Sequence, residues 1–450
     1  MKILVCVKVI KGEINPFDES ALECALQLSD DVTVISMGPE SSKDVLKPLT
    51  RLGAKVILIS DTIYAGSDTL ATSYILSTAI KQMDYDLILC GRQSVDGDTA
   101  QVGPMLSDKL RVPVITNAMN VKCDGKKVFA ETRECKEETT LPALVTVERG
   151  YVLRFPSIFS KVSDITVIDN EKIGCDVSKC GFGGSPTRVL ETFENESGKR
   201  KCEFISMSEL IPLVEELMKQ EIFEEKKNDD AEKLKSVWAV GTEVLEKAKE
   251  IAEEVVLIEK STPQEIAKKA IAEKPDVILW NADLWGRKNA PIVASMLDTG
   301  LCADCTMLKA DEDSLIMYRP AQGGNITAKI KCLTKPQMAT VRTKSESSDI
   351  IVSGGKGIAE SFSKLEELAK KLGAEVSASR GLVDMNKASY DKQVGLTGKT
   401  VSPKIYIAIG ISGAIHHTCA IEGSTTVIAI NPDKDARIFE YADYGIISKF

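Results

Sequence analysis

The stretch Tyr406-Ile-Ala-Ile-Gly-Ile-Ser-Gly-Ala-Ile-His-His417 passes from an apolar run directly into two closely spaced glycines. The run at 405–409 has the length and β-branched composition of a buried strand. In a parallel sheet, ligands bind beyond the carboxyl ends of the strands, where glycines let main-chain N–H groups approach an anionic phosphate. The stretch therefore predicts an α/β fold with a phosphate-binding turn at 410–413.

Two further glycine-rich segments lie near the carboxyl terminus. Ser353-Gly-Gly-Lys-Gly357 follows a predicted strand at 349–352, and Gly395-Leu-Thr-Gly398 precedes the strand at 405–409. A single glycine after a strand most often marks only a turn. Three such segments, together with a predicted helix at 362–372 and a predicted strand at 426–430, favour a dinucleotide site in this region.

The composition is typical of a soluble globular protein with more than one domain. The chain has 450 residues, of which 43% are hydrophobic and 27% are charged, and this length suits two or three α/β domains. A net charge of -9 argues against non-specific nucleic-acid binding, which needs a basic surface. No apolar run reaches the roughly 20 residues that span a bilayer. We expect no nucleic-acid partner and no membrane insertion.

The first residues and the cysteines predict a cytoplasmic protein. Met1-Lys2 is followed directly by an apolar run at 3–7, which is typical of a first strand and not of a cleaved signal. The 12 cysteines are scattered singly, apart from Cys302/Cys305 and Cys175/Cys180, as expected of free thiols in a reducing compartment. Because the Cys302/Cys305 pair has no second pair and no nearby histidine, two packed thiols are favoured over a zinc site. No metal is expected.

The first half of the chain alternates short apolar runs with helical patterns. Predicted strands lie at 2–9, 32–36, 55–60 and 86–90, and predicted helices lie at 20–28, 42–52 and 69–83. Asp68 is a suitable N-cap for the last of these helices. Near-continuous apolar strands separated by helices indicate a parallel sheet covered on both faces.

An internal repeat is visible when the numbering is shifted by 190, so that Asp86-Leu-Ile-Leu aligns with Asp276-Val-Ile-Leu. The same shift places Leu106 on Met296, Asp108 on Asp298 and Thr116 on Thr306. The second copy has its own predicted strands at 236–240 and 254–258. Chance similarity between two parallel-sheet domains is the alternative. We interpret the pattern as two related α/β units in tandem.

A charged segment separates the two copies. It includes Glu224-Glu-Lys-Lys-Asn-Asp-Asp230, a charge run typical of a solvated helix or linker. The predicted fold class is α/β, with tandem nucleotide-binding parallel-sheet domains and a C-terminal doubly wound domain. The predicted boundaries are a nucleotide-binding domain at 1–190, a charged linker or arm at 191–234, a second α/β domain at 235–344 and a dinucleotide-binding domain at 345–450.

The motifs of the C-terminal region occur in a characteristic order. They are Ser353-Gly-Gly-Lys-Gly357, Ala378-Ser-Arg-Gly381, Gln393-Val-Gly-Leu-Thr-Gly398, the stretch at 406–417, Ile430-Asn431 and Ala442-Asp-Tyr-Gly-Ile446. In order and nearly in spacing, this set resembles the FAD domain of the electron transfer flavoprotein α subunit. Upstream, Gly323-Gly-Asn325, Gln337-Met-Ala-Thr-Val-Arg342 and the segment at 300–305 resemble the first domain of that subunit.

The resemblance implies roles around a bound FAD. Arg380, Thr397 and His417 would lie beside the isoalloxazine ring and tune it, because a fixed cation or donor there raises the reduction potential. From the residue types alone, Arg380 could instead pair with an acidic neighbour, and His416 and His417 could simply pack. No residue is expected to be catalytic in the strict sense. The implied FAD contacts are Lys356, Ser379, Arg380, Gln393, Val394, Gly395, Leu396, Thr397, Ser412, Gly413, Ala414, Ile415, His416, His417, Asn431 and Asp443.

The N-terminal half carries a second set of motifs. They are Asn15-Pro-Phe-Asp18, Ser36-Met-Gly-Pro39, the segment at 65–72 and the segment at 91–104. This set resembles the β subunit of the same family, so that the whole chain resembles both subunits fused, the β-like half first. The resemblance implies an adenine-nucleotide site, which holds either AMP or a second FAD. The implied contacts are Cys6, Asn15, Phe17, Asp18, Met37, Asp68, Thr69, Thr72, Gly91, Arg92, Gln93, Ser94, Asp96, Gly97, Asp98, Thr99, Ala100, Gln101 and Val102.

The identity of that nucleotide would decide the mechanism. AMP is the structural ligand of ordinary carriers in this family, whereas a second FAD takes a hydride from NADH in the bifurcating members. Asp68-Thr-Leu-Ala-Thr72 and the segment at 96–104 are similar to those of bifurcating β subunits and favour the second FAD. The alternative is that these segments mark lineage only.

A segment at 151–159, Tyr151-Val-Leu-Arg-Phe-Pro-Ser-Ile-Phe159, resembles the β-subunit loop that docks onto a dehydrogenase. An exposed apolar anchor suits such brief contact, because transient redox interfaces are small. Phe155 is the candidate anchor. A buried aromatic beside a proline turn is the alternative.

Three functions are consistent with these patterns. The first is an electron carrier that serves a flavin dehydrogenase of the acyl-CoA type, as in fatty acid oxidation, or of the hydroxyacid type. The second is an NADH-oxidising bifurcating enzyme with a low-potential acceptor such as ferredoxin. The third is a non-redox adenine-nucleotide-binding protein whose flavin domain has lost its ligand.

Overall fold

Parallel β-sheets covered by helices form the framework of the protein, as the computed structural model shows. The structure describes residues 1–194, 199–219, 232–322, 326–343, 348–395, 398–421 and 423–450. Within these ranges the chain forms two units. Unit 1 comprises residues 1–192, 232–322 and 328–341, and unit 2 comprises residues 193–231, 323–327 and 342–450. The charge run at 224–230 and the motif at 323–325 lie outside the described residues.

The strands are β1 (Lys2–Cys6), β2 (Val9–Ile10), β3 (Glu13–Ile14), β4 (Asp31–Met37), β5 (Lys55–Ile59), β6 (Leu87–Gly91), β7 (Val114–Ala118), β8 (Asn120–Cys123), β9 (Lys127–Glu131), β10 (Lys136–Thr140), β11 (Ala143–Val147), β12 (Thr166–Ile168), β13 (Thr187–Glu194), β14 (Glu203–Phe204), β15 (Leu234–Val240), β16 (Ala252–Ile258), β17 (Val277–Asn281), β18 (Leu301–Cys305), β19 (Met307–Asp311), β20 (Ser314–Ala321), β21 (Ile326–Cys332), β22 (Gln337–Val341), β23 (Ile350–Gly354), β24 (Glu375–Ala378), β25 (Ile405–Ile409), β26 (Thr426–Ile430) and β27 (Tyr444–Ile446).

The α-helices are α1 (Pro16–Leu28), α2 (Lys43–Leu46), α3 (Thr69–Ile80), α4 (Val102–Leu110), α5 (Asn170–Ile173), α6 (Gly181–Gly184), α7 (Leu210–Lys219), α8 (Leu245–Ile251), α9 (Pro263–Glu273), α10 (Leu284–Met296), α11 (Phe362–Leu372), α12 (Arg380–Asp384) and α13 (Ile415–Thr418).

Unit 1 contains two parallel sheets built on the same strand order. The first sheet has the order β12-β5-β4-β1-β6-β11-β7, and the second has the order β16-β15-β17-β22-β18. In each sheet the chain starts in an inner strand, moves to one side, and then crosses to the other side. A late strand, β11 or β22, is inserted between two earlier ones. This shared order confirms the predicted pair of related α/β units.

The predicted register of the repeat is wrong after β6 and β17, which themselves keep the shift of 190. Residues with positive φ angles mark equivalent positions in the two copies. Arg111 and Asp298 follow the next helix, and Asn117 and Asp304 lie inside the next strand. Both pairs are separated by 187 positions. Residues 92–101 separate β6 from α4, whereas only residues 282 and 283 separate β17 from α10, and α10 has 13 residues against 9 in α4. The shorter loop is only partly offset by the longer helix, so the second copy is displaced by a net three residues.

Side chains alternate between the two faces of the first sheet. Ile3 and Val5 of β1 belong to the core on one face, while Leu4 and Cys6 belong to the core on the other. Because both faces are covered by packed apolar residues, nearly all positions of β1, β6 and β11 are buried and these strands read as nearly continuous apolar runs. This confirms the predicted sheet that is covered on both faces.

Most predicted elements of the first half are confirmed within a few residues, but the helix predicted at 42–52 is wrong. The chain there forms the short helix α2 and then a 3₁₀ turn over Lys47–Leu52. Pro48 lies at the start of that turn, where it cannot donate the main-chain hydrogen bond that a continuing α-helix requires.

Unit 2 is built on one parallel sheet with the order β14-β27-β26-β25-β23-β24. The predicted bounds of α11, β25 and β26 agree with the structure. The charged segment contributes β14 to the edge of this sheet, and Leu210 and Val214 of α7 pack into its core. Arg200 fastens the same segment by donating to the carbonyl oxygens of Ser424 and Thr425.

The turns after β23 and β25 contact each other through main-chain atoms. The N–H group of Gly355 donates to the carbonyl oxygen of Ile409 at 2.8 Å, and that of Gly357 donates to the carbonyl oxygen of Gly410 at 3.2 Å. A Cβ atom on Gly355 would lie 2.1 Å from the oxygen of Gly410. Only glycine fits at this position, because backbone leaves no room for a side chain.

Gly355→Ala is expected to lower the free energy of unfolding of unit 2 by more than about 2 kcal/mol, since the added methyl group meets fixed backbone. Urea unfolding of the full chain, followed by the circular dichroism signal, measures the effect. Gly150→Ala is the matched control, because a Cβ atom there has no neighbour within 4 Å. Equal midpoints for the two variants would contradict the packing described above.

Candidate functional site

The carboxyl ends of β23, β24 and β25 form a crevice in unit 2. β24 lies on one side of β23 and β25 lies on the other, so the connections that leave β23 and β25 diverge. Such a topological switch point is where open parallel sheets bind their ligands. The glycine contact between the two turns keeps the main chain at the bottom of this crevice accessible to a ligand.

Three predicted residues lie together at this edge. Ser379 occupies the N-cap position of α12, and its N–H group donates to the carbonyl oxygen of Gly354 at 2.8 Å. A Cβ atom on Gly381 would lie 3.4 Å from Cβ of Lys356, so the start of α12 touches the turn after β23. The structure therefore brings Lys356, Ser379 and Arg380 to one side of the crevice.

The loop that begins at Gln393 lines another side. The N–H group of Val394 donates to the carbonyl oxygen of Ala378 at 2.9 Å, so the loop extends from the end of β24. Gly395 adopts a φ of 147° and a Cβ atom there would lie 2.9 Å from the carbonyl oxygen of His416. The predicted contacts Leu396 and Thr397 lie outside the described residues.

The turn between β25 and α13 completes the crevice. Gly413 has a φ of 85°, and a Cβ atom there would lie 2.1 Å from the main-chain nitrogen of Ile438. The side-chain amide of Asn431 donates to the carbonyl oxygen of Ile411 at 2.9 Å. Main-chain contacts thus fix the turn, while Ser412, Ala414 and His416 are exposed and Ile415 is half-buried.

His417 carries an unpartnered polar atom in this turn. Its side chain is buried, and Nε2 lies 2.9 Å from the hydroxyl oxygen of Tyr406. Nδ1 has no hydrogen-bond partner among the described residues. Burial lowers the pKa of His417 to about 4, which the main chain of Val394 opposes only in part, so the imidazole is neutral at pH 7.

Arg380 forms an ion pair with Asp384, one turn further along α12, at 3.2 Å. The residue types alone left open whether Arg380 pairs with an acidic neighbour, and Asp384 is such a neighbour. Both side chains remain partly exposed, and such exposed pairs contribute little to stability. The guanidinium is therefore partly exposed, and the carboxylate of Asp384 offsets its charge.

Asp443 does not lie with the other predicted FAD contacts. It precedes β27, and its carboxylate accepts from the N–H group of Val427 near the start of β26. It also pairs with Arg200. Because these strands are parallel, this position lies at the amino edge of the sheet, opposite Asn431 at the carboxyl edge. The prediction for Asp443 is wrong in placement, and its role here is to hold the charged segment against unit 2.

The crevice fits an FAD in the chemistry of its walls. The glycines at two strand ends engage their own N–H groups in main-chain hydrogen bonds, but they leave the turn at 411–413 uncovered by side chains, and such a turn suits a pyrophosphate. A buried, unpartnered imidazole nitrogen in a turn is costly unless a ligand or water satisfies it. The residues of this chain that would hold the cofactor are those gathered here, without Asp443.

Unit 1 has an equivalent switch point between β1 and β6. Cys6, Met37 and Gly91 end neighbouring strands at this edge. A Cβ atom on Gly91 would lie 2.2 Å from Oδ1 of Asp18 and 2.7 Å from Cβ of Phe17. The start of α1 therefore packs against the end of β6, as the resemblance implies.

Asn15 and Asp18 fix this edge through hydrogen bonds to the main chain. Asp18 accepts from the N–H groups of Lys8 at 2.8 Å and Gly91 at 3.1 Å. Asn15 donates to the carbonyl oxygen of Gln93 at 2.9 Å and accepts from the N–H group of Val95 at 3.2 Å. Burial raises the pKa of Asp18 to about 7, against the two main-chain donors. These side chains shape the loop that begins at Gly91.

The loop at 92–101 is held by charged and polar side chains. Arg92 forms a buried ion pair with Glu148 at the end of β11, and Lys8 pairs with Asp96 at 2.7 Å. Asp98 and Ala100 adopt positive φ angles of 51° and 55°, which expose successive main-chain groups in a tight loop. The remaining predicted loop residues, Ser94, Gly97 and Thr99, are half-buried, and Val102 begins α4.

Asp68 and Thr69 make structural contacts. Asp68 caps α3 by accepting from the N–H groups of Leu70 and Ala71, as its predicted N-cap role requires, and it also binds Thr187. The hydroxyl of Thr69 donates to Gln101 at 2.6 Å. Thr72 lies one turn further along α3. These residues connect α3 to the loop at 92–101.

Arg319 is a residue of this site that the sequence reasoning missed. It projects from β20 of the second copy, is only 5% exposed, and donates to the carbonyl oxygen of Asp98 at 3.2 Å. No carboxylate pairs with it, and its Nε has no partner, in the part of the chain that the structure describes. A buried cation without a counterion indicates an anion site. Its only sequence signal is an arginine in an otherwise apolar strand.

Cys302 and Cys305 are both buried and free, and both lie in β18 (Leu301–Cys305). Burial raises the pKa of Cys305, so its thiol stays protonated at neutral pH. This agrees with two packed thiols. Among the described residues, no group of three or more His, Cys, Asp or Glu side chains could hold a metal ion. Within the same ranges, no helix is long and apolar enough to span a bilayer.

Fold and site together define an α/β protein with a dinucleotide-binding crevice. The electron transfer flavoprotein domain matches residues 3–156 and again residues 252–364, and the electron transfer flavoprotein FAD-binding domain matches residues 345–422. These matches extend over more than half of the sequence. The chain belongs to the electron transfer flavoprotein family.

Relatives of both kinds of subunit are similar to this chain. The electron transfer flavoprotein subunit alpha of Thermoanaerobacterium thermosaccharolyticum is 44% identical over 40% of this chain and 70% of its own length. The subunit beta of Megasphaera elsdenii is 39% identical over 43% of this chain and 87% of its own length. Protein FixB of Bradyrhizobium diazoefficiens is 39% identical over 39% of this chain and 60% of its own length.

His417 makes the stability of unit 2 dependent on pH. Because its pKa is lowered to about 4 from an ordinary value near 6.5, the unfolded chain binds more protons between these values. Stability is therefore full above pH 6.5 and decreases as the pH falls towards 4. The urea midpoint of unit 2, measured at pH 7 and at pH 5, reports this loss of stability. His417→Gln is expected to show a smaller decrease in the midpoint than the wild type, whereas His416→Gln, at an exposed position, should show the same decrease as the wild type. Equal decreases in both variants would contradict the assignment.

Proposed function

We propose that this chain carries electrons on an FAD bound at the carboxyl edge of the unit 2 sheet and exchanges them with a flavin dehydrogenase of the acyl-CoA or hydroxyacid type. The observation that supports the proposal is the crevice itself, which combines glycine turns at the strand ends with a buried His417 whose Nδ1 has no hydrogen-bond partner among the described residues. A bound flavin supplies the ability to accept and pass on electrons. The membership of the family supports this assignment.

Each part of the crevice has its own task in this proposal. The turn at 411–413 presents N–H groups to the pyrophosphate, the glycine turn at 355–357 gives the ligand room to approach, and Ser379 lies at the start of α12, which faces the ligand. Arg380 supplies a positive charge at the flavin end, and the carboxylate of Asp384 moderates it. Such fixed charges set how strongly the site favours added negative charge. No proton transfer by these side chains is required.

We also infer that β-like and α-like parts are fused in this chain. The support is the double match of the electron transfer flavoprotein domain and the similarity to both subunit types. The proposed domains are residues 1–190 for the β-like part, 235–344 for the first α-like domain and 345–450 for the FAD domain. The segment at 191–234 is the proposed join.

The segment at 151–159 is the proposed docking surface for the dehydrogenase. Phe155 is 96% exposed, and Ile158 and Phe159 are similarly exposed. Phe155 is therefore not a buried aromatic beside a proline turn, which was the alternative that the sequence left open. Arg51 fixes the segment by donating to the carbonyl oxygens of Ser157 and Ser160. Exposed apolar side chains on a fixed loop are typical of an interaction site.

Phe155→Ser is expected to slow electron transfer from a substrate-reduced acyl-CoA dehydrogenase to the FAD-loaded chain by about tenfold, because an interface anchor contributes about 1–2 kcal/mol or more. Stopped-flow absorbance at the flavin band measures the rate. Ile271→Ser removes an equally apolar, 62% exposed side chain elsewhere on unit 1 and should leave the rate unchanged. Equal rates for wild type and Phe155→Ser would reject this docking surface.

A second candidate function is an NADH-oxidising, bifurcating enzyme with a second FAD in unit 1. The specific observation in its favour is Arg319, because a buried guanidinium without a counterion beside the loop at 92–101 suits a doubly charged pyrophosphate. AMP would also bring a phosphate to this edge. The proposed acceptor in that case is a low-potential protein such as ferredoxin.

The nucleotides released from the denatured full chain distinguish these functions. One FAD and one AMP per chain support the simple carrier, and two FAD without AMP, together with bleaching of the flavin by NADH, support the bifurcating enzyme. Chromatography with absorbance detection counts both nucleotides. A purified chain that stays colourless after FAD is added would contradict both and favour a non-redox adenine-nucleotide-binding protein.

A further inference from the structure

A series of buried polar groups lies beneath the turn at 411–417 in unit 2. Tyr406 in β25 is fully buried, and its hydroxyl oxygen lies 2.9 Å from Nε2 of His417. Ser353 and Ser377 face each other across β23 and β24, and both are also fully buried. Four polar side chains in an otherwise apolar core are costly unless they serve one another or a ligand.

Neither serine hydroxyl has a hydrogen-bond partner among the described residues. The contact with Nε2 of His417 is the hydrogen bond that the structure gives the Tyr406 hydroxyl in that part of the chain. Burial raises the pKa of Tyr406, so the hydroxyl keeps its proton at neutral pH. A buried hydroxyl that donates to no acceptor is costly, and the acceptor within reach is the imidazole.

The direction of this hydrogen bond decides which imidazole nitrogen carries the proton. A neutral imidazole has one N–H group and one acceptor nitrogen. If Tyr406 donates to Nε2, the proton lies on Nδ1. Because Nδ1 has no partner among the described residues, its proton would then be available to a ligand.

We propose that Tyr406 is a positioning residue that holds His417 in the Nδ1–H tautomer and so presents a single N–H donor to the crevice. His417 itself would contact the ligand, whereas Tyr406 acts only through His417. The assignment of the flavin as that ligand rests on the proposed function. The tautomer of His417 is a property of the chain alone. The ligand class is one that offers an acceptor oxygen or nitrogen at the crevice wall.

The test is a long-range ¹H–¹⁵N correlation spectrum of the flavin-free full chain at pH 7. The sequence has only 2 histidines, and His416→Gln identifies the signals of His417. The expected result is one Nδ1–H imidazole, although a free imidazole side chain favours the Nε2–H form. A wild-type spectrum that shows His417 with its proton on Nε2 would overturn the proposal without any variant.

Tyr406→Phe removes the phenolic hydroxyl and keeps the ring. His417 is then expected to show a substantial Nε2–H population. Tyr64→Phe is the matched control, since it deletes another buried hydroxyl, which donates to Asn170 at 2.9 Å in unit 1, and it should leave the His417 spectrum unchanged. An unaltered Nδ1–H form in Tyr406→Phe would overturn the positioning role. If that variant does not fold, the wild-type spectrum decides alone.

A second measurement connects the tautomer to the ligand. Tyr406→Phe is expected to raise the dissociation constant for FAD about three- to tenfold, in line with the loss of one oriented hydrogen bond, while Tyr64→Phe leaves it unchanged. Fluorescence titration of the flavin-free chain measures both. A wild-type chain that shows the Nδ1–H form but binds no FAD would reject the proposed function and retain the positioning role. Equal FAD affinity of wild type and Tyr406→Phe would reject the connection to the flavin.

Discussion

Main-chain contact between the turns after β23 and β25 is the constraint on which the FAD crevice depends. Because Gly355 and Gly410 have no side chains, the two strand ends approach until an added Cβ would lie 2.1 Å from a carbonyl oxygen. The N–H groups of these two glycines join the strand ends through main-chain hydrogen bonds, and no side chain covers the turns. In unit 1 a side chain approaches the glycine at the strand end, since Asp18 accepts from the N–H group of Gly91. In each unit a close approach at a glycine shapes this edge of the sheet.

The two α/β copies of unit 1 share their strand order and differ at the connection that follows the third strand. In the first copy, residues 92–101 form a loop with positive φ angles before α4 begins. In the second copy α10 begins almost at once, capped by Asp283, and Lys260 pairs with Asp283 and Glu243 at that edge. Acidic side chains there oppose a bound phosphate. The second copy instead contributes Arg319 to the loop of the first copy, so that this edge of the first sheet is built from both copies.

Much of this could be predicted from the sequence. Apolar runs fixed β25 and β26, and helical periodicity together with Gly373 fixed α11. The order of the glycine motifs indicated the crevice, and the structure gathers Ser379, Gly395 and Asn431 around it. The failures are equally specific. Pro48 divided a predicted helix, an unrecognised difference in loop length displaced the repeat by three residues, and Asp443 proved to lie at the wrong end of its strand.

Sequence alone therefore determined the α/β class, the repeat and the segments that supply the ligand edge, because strand length, glycine position and apolar period are local properties. Only the tertiary structure decided which polar side chains serve the ligand edge and which serve the fold. Asp443 pairs with Arg200, Asp68 binds Thr187, and Arg319 comes from the second copy to the loop of the first. These pairings join residues distant along the chain, and they depend on sheet order and register, which no local pattern records. Tyr406 and His417 are close in sequence, but their contact depends on how the turn after β25 folds back.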